Sequence, residues 1–268
     1  MLLEIRAAPL WDSTAQKVVG MLTVTDFVNI LRHYYYAPEE APQMGKLEEQ
    51  QIQTWRDLDG RSGEKSKELL SVSASTSIFD AATILVNHRI HRLPIIEKGE
   101  GGATDSVLGV ISQIKVLRYI ATQFQLRPDV LRRPLRELGI GTFSNLATAR
   151  MDTPLIRVLD MFVNMRISAV PIVDESGVLL DVYEKFDVSY LARDGAHTNL
   201  NMPVSQALAH RIEDLFEGVQ TCTMSDTLSS LFDAMRTQSI HRLVVVDENK
   251  HLQGIISVSD VLAFILSA

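Results

Sequence analysis

The chain has 268 residues, one cysteine, 46% hydrophobic and 22% charged residues, and a formal net charge of −7. This is an ordinary globular mixture, and no apolar run approaches the ~18–20 residues of a membrane span. The acidic balance argues against a dedicated nucleic-acid binder, which needs a basic face. The lone Cys222 excludes an internal disulfide and fits a reducing compartment.

Taken in order, the elements write one phrase four times: an apolar strand, a polar turn, a second apolar strand, then a helix. The first strand, Arg6-Ala-Ala-Pro-Leu-Trp11, comes almost at once, and Gly20-Met-Leu-Thr-Val-Thr-Asp26 carries the second strand into a helix. The helix that should precede Arg6 is represented at most by Met1–Ile5, so the first repeat reads as N-terminally truncated and the chain as a fragment. Met1–Arg6 lacks the basic start and long apolar core of a signal peptide. A polar connector with Pro38, Pro42, Gly60 and Gly63 follows, and Leu47, Ile52 and Trp55 predict a short helix over Leu47–Leu58. The second repeat has a helix over Ser77–Asn87, strand His91-Arg-Leu-Pro-Ile-Ile96, a glycine-marked loop Glu97–Ser106, and Gly109-Val-Ile-Ser-Gln-Ile-Lys115.

A linker with Arg127, Arg132, Arg133 and Arg136 joins the halves. It is read either as a solvated face or as a docking surface. In the third repeat Asp152-Thr-Pro154 starts a helix, with Asp or Thr as cap. Leu155, Val158, Leu159, Phe162 and Val163 form its apolar stripe, ahead of strands Ala169–Val173 and Val178–Tyr183 and a helix over Lys185–Leu191. The fourth repeat repeats the course: helix Asp226–Thr237, strands Leu243–Val246 and Leu252–Ile256, and closing helix Ser259–Leu266. The strand anchors Pro9, Pro94, Pro171 and Val244 lie 85, 77 and 73 residues apart. Internal repetition of this kind dictates architecture and leaves almost no chain for a catalytic domain. Repeats are expected at 1–36, 67–125, 142–195 and 196–268, with linkers at 37–66 and 126–141.

Two readings stand for the carboxylates that open the closing helices. Thr23/Asp26 and Ser257/Asp260 fit a capping box that satisfies free helix N–H groups. The same carboxylates could instead accept the hydroxyls of a ribose, with helix N-termini favouring phosphate nearby. Copy three keeps Asp187 although Glu184 replaces the capping hydroxyl, which favours the second reading. So do His91-Arg92 and His241-Arg242 before their strands, and Arg6 at the matching edge, as cations for phosphate. Cys222 has no basic or orienting motif beside it and reads as structural rather than nucleophilic.

These phrases resemble cystathionine-β-synthase (CBS) repeats, which pair into Bateman modules. The ordered set Arg6–Ser13, Gly20–Phe27, Leu47–Arg56, Ile90–Pro94, Ile140–Asn145, His210–Gly218 and His241–Glu248 is similar to the γ regulatory subunits of AMP-activated protein kinase. That resemblance implies an α/β (α+β) fold of four tandem repeats paired into two Bateman modules in a flat disc. It implies ribose binding by Asp26, Asp187 and Asp260, and phosphate binding by Arg6, His91, Arg92, Arg211, His241 and Arg242. Thr23, Thr142, Ala147, Ser168, Ala169 and Ser257 would line the sites. Lys115 stands where the second aspartate would be, and lysine accepts no hydrogen bonds from ribose. Ile114 stands where relatives can carry a lysine. The resemblance further implies a non-catalytic sensor binding AMP, ADP and ATP competitively. Kinase α and scaffold β subunits are its partners, with a cytoplasmic location extending to the nucleus and no metal or catalytic cofactor. A scaffold, or a module for another adenosyl ligand, is the alternative. CBS pairs also occur inside an IMP dehydrogenase, but there they are inserted into a (β/α)₈ barrel of about 250 residues, for which this chain has no room.

Overall fold

A computed structural model describes residues 7–37, 39, 69–99, 104–123, 128–212, 218–237 and 240–267. The helix expected over Leu47–Leu58, together with Arg6 and Arg127, lies outside them. Repeat 1 contributes β1 (Ala7–Asp12), β2 (Lys17–Thr23) and α1 (Val24–Tyr36); repeat 2 contributes α2 (Ile78–Asn87), β3 (Arg92–Glu97), β4 (Ser106–Ser112) and α3 (Gln113–Gln123). Short helices α4 (Pro128–Leu131) and α5 (Leu135–Leu138) form the linker. Repeat 3 follows with α6 (Leu155–Asn164), β5 (Ala169–Val173), β6 (Leu179–Glu184) and α7 (Val188–Arg193). After α8 (Val204–Leu208), repeat 4 comprises β7 (Thr221–Cys222), α9 (Leu228–Thr237), β8 (Arg242–Val246), β9 (Leu252–Ser257) and α10 (Val258–Ser267).

The four hairpins share one antiparallel register. Pro9 faces Met21, Pro94 faces Val110, Pro171 faces Val182 and Val244 faces Ile255, and every hairpin shifts register between the first and second residues past that anchor. The anchor also decides how a further strand attaches. Val244 has an N–H and donates it to Gln220 O at 3.0 Å, so β7 pairs with β8 over two residues. Pro94 and Pro171 have none, and their attachment shrinks to single parallel bridges, Val72 to Ile95 and Ala149 to Ile172.

Helix starts are satisfied by neighbouring backbone more than the sequence suggests. Thr153 does not cap α6; its Oγ1 accepts from Arg150 N–H at 2.9 Å, closing the preceding turn. The first N–H groups of α6 instead donate to Met202 O and Leu200 O, while those of α8 donate to Thr153 O and Met151 O. Two loops thus cap each other's helices across a bridge between Pro154 and Pro203.

Packing closes the repeats into a ring. Val28, Leu31 and Tyr34 of α1 pack with Leu155, Leu159 and Phe162 of α6, joining repeats 1 and 3. Leu85, Leu117 and Ile120 pack with Leu231, Met235 and Leu262, joining repeats 2 and 4. Repeats 3 and 4 meet through their strands, burying Ala169, Val182, Val244 and Val246, and through backbone bonds from Leu179 N to Lys250 O and Leu252 N to Gly177 O. Repeats 1 and 2 meet at Asp105 N–H and Gln16 O, 3.3 Å apart. Each repeat therefore touches two others, and their strand–helix junctions converge. Full burial of each such leucine contributes about 1.5–3 kcal/mol.

The start of repeat 3, just past the linker, is stitched to repeat 4 where Thr142 and Ile255 exchange two backbone hydrogen bonds of 2.9 Å. A methyl group on Gly254 would stand 2.4 Å from the Phe143 ring and 2.8 Å from Thr142 O. Gly254→Ala should therefore lower unfolding free energy by about 1–3 kcal/mol, the usual cost of overpacking. In denaturant melts the loss should be partly relieved in the Gly254→Ala/Phe143→Ala pair, and strict additivity would show that the ring is not the obstacle.

Candidate functional site

In every repeat the third residue past the second strand is acidic or basic (Asp26, Lys115, Asp187 and Asp260), and that geometry places the candidate groups. Asp26 Oδ2 accepts from Thr23 N–H at 2.5 Å and Thr23 Oγ1 at 2.8 Å. Asp260 Oδ2 accepts from Ser257 N–H and Ser257 Oγ, both at 2.7 Å. Both aspartates are therefore capping residues, as the bland reading held. Their Oδ1 atoms have no hydrogen bond among the described residues, so capping and ligand binding are compatible on one carboxylate.

Asp187 corrects an expectation. Replacing the hydroxyl by Glu184 does not release it from capping, because Oδ2 still accepts from Glu184 N–H at 2.7 Å. The same oxygen takes Arg211 Nη2 at 2.6 Å, while Arg211 Nη1 reaches Asp181 Oδ1 at 2.8 Å and Nη2 also donates to Val182 O. Only 7% of the Arg211 side chain is exposed. Arg211 is thus held on two carboxylates, and Asp187 is closed beneath it. Burial pushes Asp187 up to about 6, against the pull of Arg211 and the Glu184 N–H.

A second group gathers where repeats 1, 2, 3 and 4 face one another. Arg242 pairs with Glu184 and donates to Ser168 Oγ at 3.2 Å. Lys185 Nζ reaches across to Thr25 Oγ1 at 3.3 Å, beside Asp26. Desolvation foremost, and then Arg242, lower the Lys185 pKa, with Asp26 opposing. His91 has an accessible surface, yet protein surrounds it closely enough that desolvation is the main force on its titration. That combination marks a side chain lining a cleft. Its pKa is lowered to about 4, with Arg242, Lys185 and Arg92 adding to desolvation and the Gln113 hydrogen bond opposing. At neutral pH the ring is uncharged.

The remaining candidates fall around these two groups. His241 O accepts from Val258 N–H at 3.0 Å, which holds repeat 4's histidine at the start of its helix. Thr142 lies exposed on the edge of β9, Ala169 is buried against β8, and Ala147 lies on the loop leading to Ala149. Arg132, Arg133 and Arg136 are exposed, with Arg133 3.4 Å from Glu137. Cys222 is buried, and desolvation with Asp226 pushes its thiol up to about 12, which removes the nucleophile reading. Among the described residues no cluster of His, Cys, Asp or Glu could hold a metal ion, and no helix is long and apolar enough to cross a membrane.

Lys185 and Gln113 were not legible as site residues in any one repeat. They occupy one equivalent position, the first residue after the second strand, where repeats 1 and 4 carry Val24 and Val258. Aligning the four junctions and asking which polar residues break an apolar column would have found both.

The CBS domain family matches residues 65–122, 136–190 and 212–267. Among curated proteins, the chain is 40% identical over 98% of its length to the bovine 5′-AMP-activated protein kinase subunit gamma-3, and 41% identical over 98% to that of Sus scrofa. It spans about half the length of these relatives, 52% and 50%. Among solved structures it resembles a Methanocaldococcus jannaschii protein proposed as an archaeal homologue of γ-AMPK, at TM-score 0.68 and 20% identity, covering 98% of this chain and 89% of that one. An uncharacterised conserved protein from Pyrococcus horikoshii aligns at TM-score 0.57 and 17% identity over 99% of this chain and 93% of that one. At these identities the two structures speak for the fold.

The Arg211 pairing yields a test with a defined sign. Arg211→Met strands two carboxylates, and a buried pair broken on one side costs about 3–5 kcal/mol. The folded state holds the Asp187 proton more tightly than an unfolded chain with a value near 3.8 does. The contribution of Asp187 is therefore fully present below that value and lost as pH rises through about 6. The destabilisation of Arg211→Met relative to wild type should be largest at pH 7.5 and shrink by pH 5 in denaturant titrations. A penalty independent of pH would contradict a charge origin.

Proposed function

We propose, from the premise that this chain belongs to the CBS-domain family, that it is a non-catalytic adenine-nucleotide sensor, the γ-type regulatory subunit of a heterotrimeric Ser/Thr protein kinase. AMP, ADP and ATP compete for its clefts, and kinase α and scaffold β subunits are its partners. The observation that carries this reading is the convergence of His91, Arg92, Lys185 and Arg242, from three repeats, on the junction that holds Asp26. Desolvation foremost, and Arg242 with it, holds down the proton affinity of both Lys185 and His91, and an anion in the shared cleft would relieve that. The capped aspartates beside them keep an oxygen for a ribose. The identity to gamma-3 subunits across 98% of the chain supports the same reading.

The mechanism follows from the ring. A nucleotide laid across a junction touches residues of more than one repeat, so its occupancy biases how the repeats and any bound subunit pack. Only ligands that bind two states of the assembly unequally transmit a signal, and the coupling is reciprocal. At rest, Asp26 and Asp260 are the open ribose sites, whereas Arg211 already sits on Oδ2 of the buried Asp187 and crowds that site. At the closed copy, capping and ion pairing give the aspartate a structural role.

Calorimetric titration of the chain with AMP, followed by displacement with ATP, tests the reading. Micromolar, mutually competitive binding is expected, and a folded chain that binds neither would leave the scaffold reading. Asp260→Ala should weaken AMP by about 10- to 100-fold at its site, the ~1.5–3 kcal/mol of hydrogen bonds to a charged group. Unchanged affinity with lower thermal stability would return Asp260 to capping alone. Arg242→Ala should weaken AMP more than adenosine, and equal losses would remove its phosphate role.

A further inference from the structure

Gln113 begins α3 and is buried, only 3% exposed, yet every polar atom of its amide is used. Nε2 donates to Ile90 O at 3.0 Å. A carbonyl oxygen can only accept, so this bond fixes which end of the amide is which. Oε1 must then point the other way, where Ser259 Oγ donates to it at 2.7 Å and His91 Nδ1 stands 3.3 Å away. Facing an acceptor, Nδ1 carries the ring proton. Backbone geometry holds the pair in register, because Gln113 N–H donates to His91 O at 3.2 Å.

The bond to Ser259 crosses from repeat 2 to repeat 4 and ends one residue before Asp260. Its counterpart on the other side of the ring is Lys185, at the equivalent position of repeat 3. Lys185 reaches Thr25, one residue before Asp26 in repeat 1. Two polar side chains at one repeat position thus span to two of the three aspartate-bearing junctions, those of Asp26 and Asp260.

We infer that Gln113 is a positioning residue: it holds His91 in the Nδ1–H tautomer and ties it to Ser259 beside Asp260, coupling a phosphate group of one repeat to the ribose site of another. The inference rests on the reading that His91 faces a nucleotide phosphate. In this tautomer the uncharged ring offers Nε2 as a lone pair, which repels a phosphate oxygen until a proton lies between them. Arg92, Arg242 and Lys185 surround His91 and oppose its protonation, and Gln113 favours it. AMP arriving at His91 therefore brings or takes up a proton, and its affinity rises as pH falls from 8 to 6.

Nitrogen NMR of the whole chain labelled at histidine is the first test, and it needs no nucleotide. His91 should show the neutral Nδ1–H tautomer at pH 7, and an Nε2–H ring would overturn the inference. Gln113→Met, which keeps length and loses both polar atoms, should scramble the tautomer. It should weaken AMP about tenfold, roughly one net hydrogen bond of ~1.4 kcal/mol, while adenosine changes less than twofold. Equal losses for AMP and adenosine would leave Gln113 a purely structural residue. If that variant does not fold, Ser259→Ala removes only the crossing bond. It should keep the tautomer yet weaken AMP about threefold, and unaltered affinity would refute the coupling. The expected tautomer in a chain that binds no AMP would overturn the proposed function and leave the orientation of His91 standing. The wrong tautomer in a chain that binds AMP would do the reverse.

Discussion

A two-stranded hairpin cannot cover the helices attached to it, and this shortage governs the whole molecule. Each repeat carries helix faces as apolar as Leu155–Phe162 or Leu228–Met235 but little sheet on which to bury them. The helices bury themselves against another repeat instead, 1 on 3 and 2 on 4, while the hairpins touch 1 to 2 and 3 to 4. The hydrophobic effect is non-directional, so direction comes from the shared hairpin register and the mutual capping of helix starts. The result is a ring whose stability is held between repeats rather than within them.

Ring closure has an electrostatic consequence. Every repeat leaves its second strand and enters its helix at a residue pair that can bind an anion or cap the helix, and closure turns these junctions toward one another. Lys185 and Arg242 meet at the centre, with Glu184 the counter-charge on Arg242. At the third junction Arg211 supplies its own neutralisation of Asp187, so that copy is self-satisfied in a way the others are not. Four near-identical phrases therefore give junctions of different character, because each junction is completed by residues of a different neighbour.

Much of this was legible in the chain. The anchors Pro9, Pro94, Pro171 and Val244 fall at the same register position, because alternating apolar strands admit only one register that buries their face. The capping reading of Thr23/Asp26 and Ser257/Asp260 holds because it needs contacts only three residues apart. Loss of the hydroxyl at position 184 is no argument against capping by Asp187, since the backbone N–H that donates to it belongs to any residue there. The expected cap of α6 by Asp152 or Thr153 is not made, because the true acceptors, Met202 O and Leu200 O, lie more than forty residues away.

Local spacing therefore determined the repeat, its strands and helices, and which side chains stand at each strand–helix junction. Such features depend on covalent neighbours and on periodicities that a single chain displays. Tertiary structure alone decided that Gln113 meets Ser259, that Lys185 meets Thr25 and that Arg211 closes over Asp187. Those contacts join residues 24 to 160 positions apart. They exist only because apolar helix faces left uncovered within one repeat found their cover on another.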